Sequence, residues 1–171
     1  SSLNQDIFGL KVRLFGDLLY DQLPQVSLGV QHKKQQNFLI PHLVGAGRDE
    51  DTEAYLQASR LLLGGAFGYN LLLNGGVRYS RANQLGLLGF GGDRNDQREV
   101  LAEASVAVLF NPRWVLGVEY RQKPDNLGFA EESDWSDVFV GYFPNKHMSL
   151  VLAWAQLGDI AGQSNQNGPY L

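Results

Sequence analysis

Charged and amide side chains recur at alternate positions of several otherwise apolar segments: Lys11, Arg13, Gln31, Lys33, Arg78, Glu103, Glu119, Arg121, Lys123 and Asp137. Gathered on one face of a sheet, residues of mixed sign can line a water-filled passage and set which solutes cross it. The same set can instead form a ladder of ion pairs that plugs a narrow barrel, or the solvated outer face of an ordinary soluble sheet. Within it, Glu103 and Arg121 are the pair expected at a constriction.

Other arrangements in the chain point away from catalysis. The run Gly86-Leu87-Leu88-Gly89-Phe90-Gly91-Gly92 has the glycine density of a phosphate cradle, but no Lys-Ser/Thr follows it and no helix begins there. It reads as a glycine-rich loop folded back over or into the mouth of a barrel. Asp93, Asn95 and Asp96, with Asp125 and Asn126, are hard oxygen donors of the kind that hold calcium. Their spacing is not that of an EF-hand, however, and turns use the same residues, so no metal is expected. His32, His42 and His147 have no serine fixed beside them, so nucleophilic catalysis is not expected and the chain reads as a non-enzyme without a cofactor. Two loop stretches stand out for composition: Gly89, Phe90, Gly91, Gly92, Asp93, Arg94, Asn95 and Asp96, and then Lys123, Pro124, Asp125 and Asn126.

The elements that must position these residues read as strands. From Val100 to Lys123, one arm alternates Val100, Ala102, Ala104, Val106, Val108 and Phe110 with a more polar face. The other alternates Trp114, Leu116, Val118 and Tyr120 with Val115, Gly117, Glu119 and Arg121. That period of two puts side chains on opposite faces of a strand. With Asn111-Pro112-Arg113 as a three-residue turn, Phe110 falls opposite Trp114, Val108 opposite Leu116, Val106 opposite Val118 and Ala104 opposite Tyr120. On the other face Glu103 then pairs with Arg121 and Ser105 with Glu119. An arm of about ten residues is the length that crosses a bilayer when tilted. Tyr79, Phe110, Trp114, Tyr120, Tyr142 and Trp154 lie where interfacial aromatic girdles would be needed.

The pattern repeats along the chain: Asp6 to Phe15, Gln25 to Lys33, Glu53 to Leu61, Leu71 to Arg81, Trp135 to Phe143 and His147 to Leu157. The third of these admits a helical alternative over Glu53 to Leu63, and Arg60 there falls on the apolar face, where it could snorkel. Gly64 to Asn70 is expected to turn, and Phe38 to Ile40 could pair briefly. Long polar connections are expected at Lys34 to Asp51, Ala82 to Gln97, Lys123 to Asp134 and Gly158 to Gly168. They alternate with short ones, the rule of up-and-down membrane barrels rather than of sandwiches or lipocalins. The count is eight strands, which implies part of a larger barrel with strands missing at both ends.

Bulk composition is consistent with that class. The chain has 171 residues, no cysteine, 20 glycines, 19% charged residues and a formal charge of -4; its mean hydropathy is -0.21. Average soluble domains carry roughly 25% charged residues. The longest run without a polar side chain, Leu61 to Tyr69, is too short for a membrane helix. Without cysteine there is no disulfide or thiolate chemistry. A slightly acidic chain with scattered basic residues has no footprint for nucleic acid.

The stretches ANQLGLLGFGGDRND from Ala82, EYRQKPDNLGF from Glu119 and DWSDVFVGYFPNK from Asp134, with DIFGLKVRLFGD and GVQHKK near the start, resemble a proteobacterial family of outer-membrane proteins, domain of unknown function thirty thirty-four. The resemblance covers most of the chain. It implies an outer-membrane barrel of a Gram-negative bacterium, with a secretion signal and further strands beyond this segment, and it brings no catalytic residues with it. The expected reading is therefore an antiparallel up-and-down transmembrane β-barrel in one domain, serving as a small-solute channel or a structural barrel bathed in outer-membrane lipid. The alternatives are a module that docks a partner chain or another copy through loops and strand edges, and a soluble lipocalin-like carrier.

Overall fold

A computed structural model describes residues 4–128, 133–160 and 163–170. Its strands are β1 (Gln5–Phe15), β2 (Gln25–Gln35), β3 (Ala46–Arg48), β4 (Glu50–Ala66), β5 (Tyr69–Ser80), β6 (Phe90–Gly92), β7 (Glu99–Asn111), β8 (Trp114–Arg121), β9 (Trp135–Asn145), β10 (Met148–Ile160) and β11 (Gln163–Tyr170). A short helix α1 (Leu39–Leu43) and a 3-10 turn (Asn83–Gly86) lie in the connections. One 9-stranded antiparallel sheet runs in the order β1-β2-β4-β5-β7-β8-β9-β10-β11, and β3 pairs only with β6. Each long strand therefore lies beside the next long strand in sequence. Among the described residues no pairing joins β1 to β11, so the sheet is open at both edges.

The central hairpin has the register its alternation predicts, with Glu103 opposite Arg121, Ser105 opposite Glu119, Val106 opposite Val118 and Val108 opposite Leu116. At the turn the expectation fails by one residue. Trp114 stands opposite Asn111 and Phe110 is bulged out of the pairing. Asn111 causes the shift: its Oδ1 accepts from the backbone N–H of Arg113 at 2.8 Å and of Trp114 at 3.1 Å, closing an Asx turn around Pro112. Phe110 packs edge-on to Tyr69 with ring centroids 5.3 Å apart.

Other differences have similarly local causes. The helical alternative at Glu53 does not form, because β4 pairs with β2 and β5 along nearly its whole length. The Gly64 to Asn70 turn shrinks to Phe67-Gly68, both at positive φ, while β4 runs on through Ala66. Phe38 to Ile40 caps and opens helix α1 rather than pairing. Gly158 to Gly168, expected as a loop, instead pairs as the β10–β11 hairpin, Ala155 opposite Gly168 and Gln156 opposite Asn167, which makes nine strands rather than eight. Polar sequence hid this strand, since a strand with two polar faces has no alternation to read.

Polarity of the two faces is inverted relative to a soluble sheet. The apolar face is bare among the described residues: Leu10 is 71% exposed, Val118 50% and Trp154 53%. The charged face is covered from β2 to β8, with Glu53 3% and Lys33 6% exposed, while β1 is open on both faces. What covers it is not a helix layer but the chain's own long connections. Ala46, Leu88 and Leu127, one from each of three connections, form a small apolar cluster flanked by Phe38 and Val44. Phe90, 1% exposed, sits beside it on β6. We call this assembly the cap.

Candidate functional site

The covered face carries a row of charges that alternates in sign across five neighbouring strands. Lys33 on β2 meets Glu53 on β4 at 2.5 Å, and Glu53 meets Arg78 on β5 at 2.6 Å. Arg78 in turn meets Glu103 on β7 at 2.6 Å, and Glu103 lies 3.2 Å from Arg121 on β8. Strand pairing places these residues within reach because each lies on the inward parity of its strand. Tyr55 forms the floor: the Arg78 guanidinium lies 4.8 Å and the Lys11 ammonium 5.8 Å from its ring centre. The ring can lie flat there because Gly29 is beneath it, where a Cβ would fall 2.1 Å from the Tyr55 ring. Ser80 donates to Glu53 at 2.7 Å, filling that carboxylate's remaining acceptor capacity.

The sequence-derived residues divide into three groups. Lys33, Arg78, Glu103 and Arg121 are members of the row, and Gln31 accepts from Arg78 at 3.4 Å. Lys11 donates to Gln57 at 2.8 Å beside the row, whereas Arg13 lies at the far end of β1 and pairs with Asp17 at 3.4 Å, apart from it. Lys123 is beyond the end of β8 and reaches Gln84 of the cap at 3.5 Å. Glu119 and Asp137 stand opposite one another on β8 and β9. Glu53, the carboxylate that joins two cations, was missing from the expected set. Its parity with Tyr55 and Gln57 was the available signal, obscured by the helix-forming composition around it.

The aromatics, Trp154 excepted, fall at the two ends of the sheet. Trp114 packs on Tyr142 with centroids 4.5 Å apart, beside the short turns that also hold Phe110. Tyr79 and Tyr120 lie toward the end that carries the long connections, and Tyr120 donates to Asp134 at 2.5 Å; Trp154 stands opposite Val138 in the middle of β10, away from either end. Arg60 donates to the Gln22 carbonyl in the β1–β2 connection.

The glycine-rich loop does fold back onto the charged face. Lys33 donates to the Leu85 carbonyl at 3.2 Å and Gln35 to the Leu87 carbonyl at 2.7 Å. Leu85 and Leu87 also line a cavity with Trp135, Phe139 and Val151, so the loop reaches from β2 to β10 and the charged face is concave. Gln84 and Leu85 hold φ of 45° and 62°, a left-handed pair that makes this reversal.

Each residue of the loop motif has a role in joining connections. Asn126, fully buried, donates to Asn83 Oδ1 at 2.9 Å and to the Arg81 carbonyl at 3.2 Å. Its own carbonyl accepts from the N–H groups of Arg94 and Asn95. Gly92 has to be glycine, since a Cβ there would fall 2.4 Å from that same carbonyl. Asp93 accepts from the Gly128 N–H at 2.7 Å, and Gly45 packs against its carboxylate. Arg94 pairs with Asp125 at 2.6 Å, and Asn95 donates to Glu99 at 2.6 Å. Gly89 and Gly91 hold φ of 75° and 60° on either side of the Phe90 ring, and Pro124 is buried next to Lys123. Asp96 pairs with Arg48 at 2.7 Å and with Arg81 at 3.4 Å. The hydrogen bond from Arg48 holds the Asp96 carboxyl below the usual aspartate range. At the opposite end of the sheet the backbone N–H groups of Leu19 and Tyr20 do the same for Asp17. The acidic loop residues are thus turned toward guanidinium and amide groups. His32 meets Thr52 at 3.0 Å and His42 packs on Phe38, while the N–H of His147 is held by Asn145 in its turn.

The family model described as Protein of unknown function (DUF3034) matches residues 1–171, the whole chain. The chain belongs to this family. No curated protein and no solved structure matches it. For a DUF3034 chain, then, the site is the concave charged row and the cap seated on it, built from residues of five long strands and three connections.

Proposed function

We propose that this DUF3034 chain forms the wall of a β-barrel in the outer membrane of a Gram-negative bacterium, and that the cap held against the charged inner face restricts passage of small solutes. One observation carries the reading: the apolar face is bare while the charged face is covered. In water that arrangement leaves a large apolar surface with nothing to bury it, whereas in a bilayer lipid tails cover it. Seven of the nine strands of the sheet have eleven to seventeen residues, long enough to cross when tilted, and β8 and β11 have 8 each. The aromatics gathered at both ends suit the two interfaces. Inverted polarity speaks against a lipocalin-like carrier, which needs its apolar face inward.

In this mechanism the alternating row gives the lumen wall a fixed, mutually compensated set of charges. The 3-10 turn and the β3–β6 pair narrow what is left. Solute passage depends on the cap moving relative to the wall, because Lys33 and Gln35 tie the two together. The test is planar-bilayer conductance of the full-length protein refolded in detergent, with heat-modifiable gel migration as the sign of a formed barrel. Discrete ohmic steps support a passage; a heat-modifiable barrel without conductance means a closed, structural one.

A second reading is favoured by the two open edges. β1 and β11 each have a single neighbour among the described residues, and unpaired strand edges recruit other strands. On that reading the sheet docks a partner chain or another copy, and cross-linking in native membranes would recover a defined higher-mass species through β1 or β11.

A further inference from the structure

The alternating charge row stops abruptly at β8. Beyond Arg121 the next inward pair along β8 and β9 is Glu119 directly opposite Asp137, two carboxylates where alternation calls for a cation. Like charges placed directly opposite on neighbouring strands destabilise a sheet. Across the remaining neighbours, Glu119 faces Ser105 and Asp137 faces Ala155, so neither flanking strand supplies a positive charge. Arg121, two positions along β8, is directed to Glu103 at 3.2 Å and lies over the Trp135 ring at 5.5 Å. Arg121 still attracts Glu119 electrostatically, though no ion pair joins them, whereas Asp137 Oδ1 and Trp135 Nε1 are both buried without a hydrogen-bond partner. A native structure that leaves such groups unpaired calls for an explanation.

Both carboxylates open into one cavity of about 790 Å³ between the cap loop and β8 to β11. Its other walls are mostly apolar, with Leu85 and Leu87 from the cap and Phe139 and Trp135 from β9, and β11 adds the amides Gln166 and Asn167. That volume lies in the range of small-molecule sites, which combine apolar walls with a few convergent polar groups. Two carboxylates are too few hard ligands for a calcium site, and the aromatic walls would not favour a hydrated ion. They do suit an ammonium carried on an apolar body, since carboxylates and aromatic faces both attract cations.

We propose that this cavity is a binding site for amphipathic organic cations, with the ammonium held between Glu119 and Asp137 and the apolar body against Phe139, Trp135 and the cap leucines. The proposal rests on the reading of the charged face as a lumen wall, and it names the class of solute that the wall would select. Binding beside Leu85 and Leu87 would also couple occupancy to the seating of the cap.

The test uses the full-length protein in lipid vesicles and three probes of one shape: 2-phenylethylamine as the cation, 2-phenylethanol as the neutral analogue and phenylacetate as the anion. Calorimetry and tryptophan fluorescence read binding, and Trp135→Phe assigns the fluorescence change to the cavity. The expected result is saturable binding of the amine, roughly tenfold or more tighter than the alcohol, with no binding of phenylacetate. Glu119→Gln combined with Asp137→Asn should abolish the preference for the amine while heat-modifiable migration is kept, and each single variant should weaken it in part. Equal binding of amine and alcohol overturns the proposal, as does an amine preference that survives undiminished in the combined Glu119→Gln, Asp137→Asn variant. Saturable, amine-selective binding in a protein that conducts nothing sustains the site while removing the channel reading. Conductance without such binding removes the site alone.

Discussion

Arg78 stands directly opposite Tyr55 in the β4–β5 pairing, yet its guanidinium reaches diagonally to Glu53 at 2.6 Å while its plane rests over the tyrosine ring. One residue thereby links three strands, since its Nε also donates to Glu103 at 2.6 Å. Replacing Arg78 by alanine would leave two covered carboxylates each with one cation fewer, Glu53 keeping Lys33 and Glu103 keeping Arg121. Breaking a buried pair from one side costs about 3–5 kcal/mol where the other charge is left uncompensated, so the loss here lies below that. A marked fall in the urea midpoint of vesicle-reconstituted protein is expected, and Arg78→Lys should recover only part of it, because one ammonium cannot match the guanidinium's fork. An unchanged midpoint for the alanine variant would remove the row from the stability of the wall.

Arg121 closes the row on β8 and is less covered than Arg78. Arg121→Ala removes a positive charge from the wall while leaving Glu103 compensated by Arg78, so folding should survive. Reversal potentials across a salt gradient should shift toward cation selectivity. Single-channel behaviour identical to the parent protein would count against a lumenal position for Arg121.

The apolar face offers a test that does not depend on conductance. Val118 lies mid-sheet between Val106 and Val138 and is half exposed. In lipid, Val118→Arg should cost about 2–4 kcal/mol, the depth-dependent penalty at the midplane of a membrane barrel. On a water-facing sheet the same change falls within about 0.5 kcal/mol. Unfolding titrations in vesicles separate these outcomes.

In the cap, Asn126→Ala strips the Asn83 side-chain oxygen of its donor in a buried setting, at a cost of about 1–3 kcal/mol. The loss is confined to the connections. Limited proteolysis should therefore cut faster within residues 82–97, while heat-modifiable migration of the barrel stays as it was.

Acid should loosen the same region through Asp96. Its carboxyl lies below the ordinary value of 3.8 in the folded chain, so the tie to Arg48 is fully present above that value and is lost as pH falls through the lower, folded one. Protection factors of the residue 90–96 amides, exchange rates corrected for the intrinsic rate at each pH and followed from pH 6 downward, should stay flat until that acidic window and then fall. Asp96→Asn should remove the step.

Alternation alone was enough to separate the apolar face from the charged one and to set the central register from Glu103 to Leu116, and glycine content was enough to read the return of the loop onto the charged face. Three things were not legible. Asn111 shifts the turn by capturing two backbone N–H groups, a side-chain bond that no period records. β11 has polar residues on both faces, so nothing in its pattern separates a strand from a loop. Glu53 sat in a segment whose composition suits a helix, and only its pairing with β2 and β5 assigns it a face. The link between Asn83 and Asn126 spans 43 positions, a distance at which sequence spacing carries no information.

That separation has a kinetic meaning. Every pairing of the large sheet joins one long strand to the next long strand along the chain, so each can form by closing a single connection onto its predecessor. The cap cannot be assembled in this way. Ala46, Leu88 and Leu127 come from connections that meet only after the strands between them have been laid side by side, and closure over such distances is the slow, entropically costly step. The sheet of this protein is therefore built hairpin by hairpin and its cap last, so the part that would restrict passage on the proposed reading is also the part that can be released without dismantling the rest.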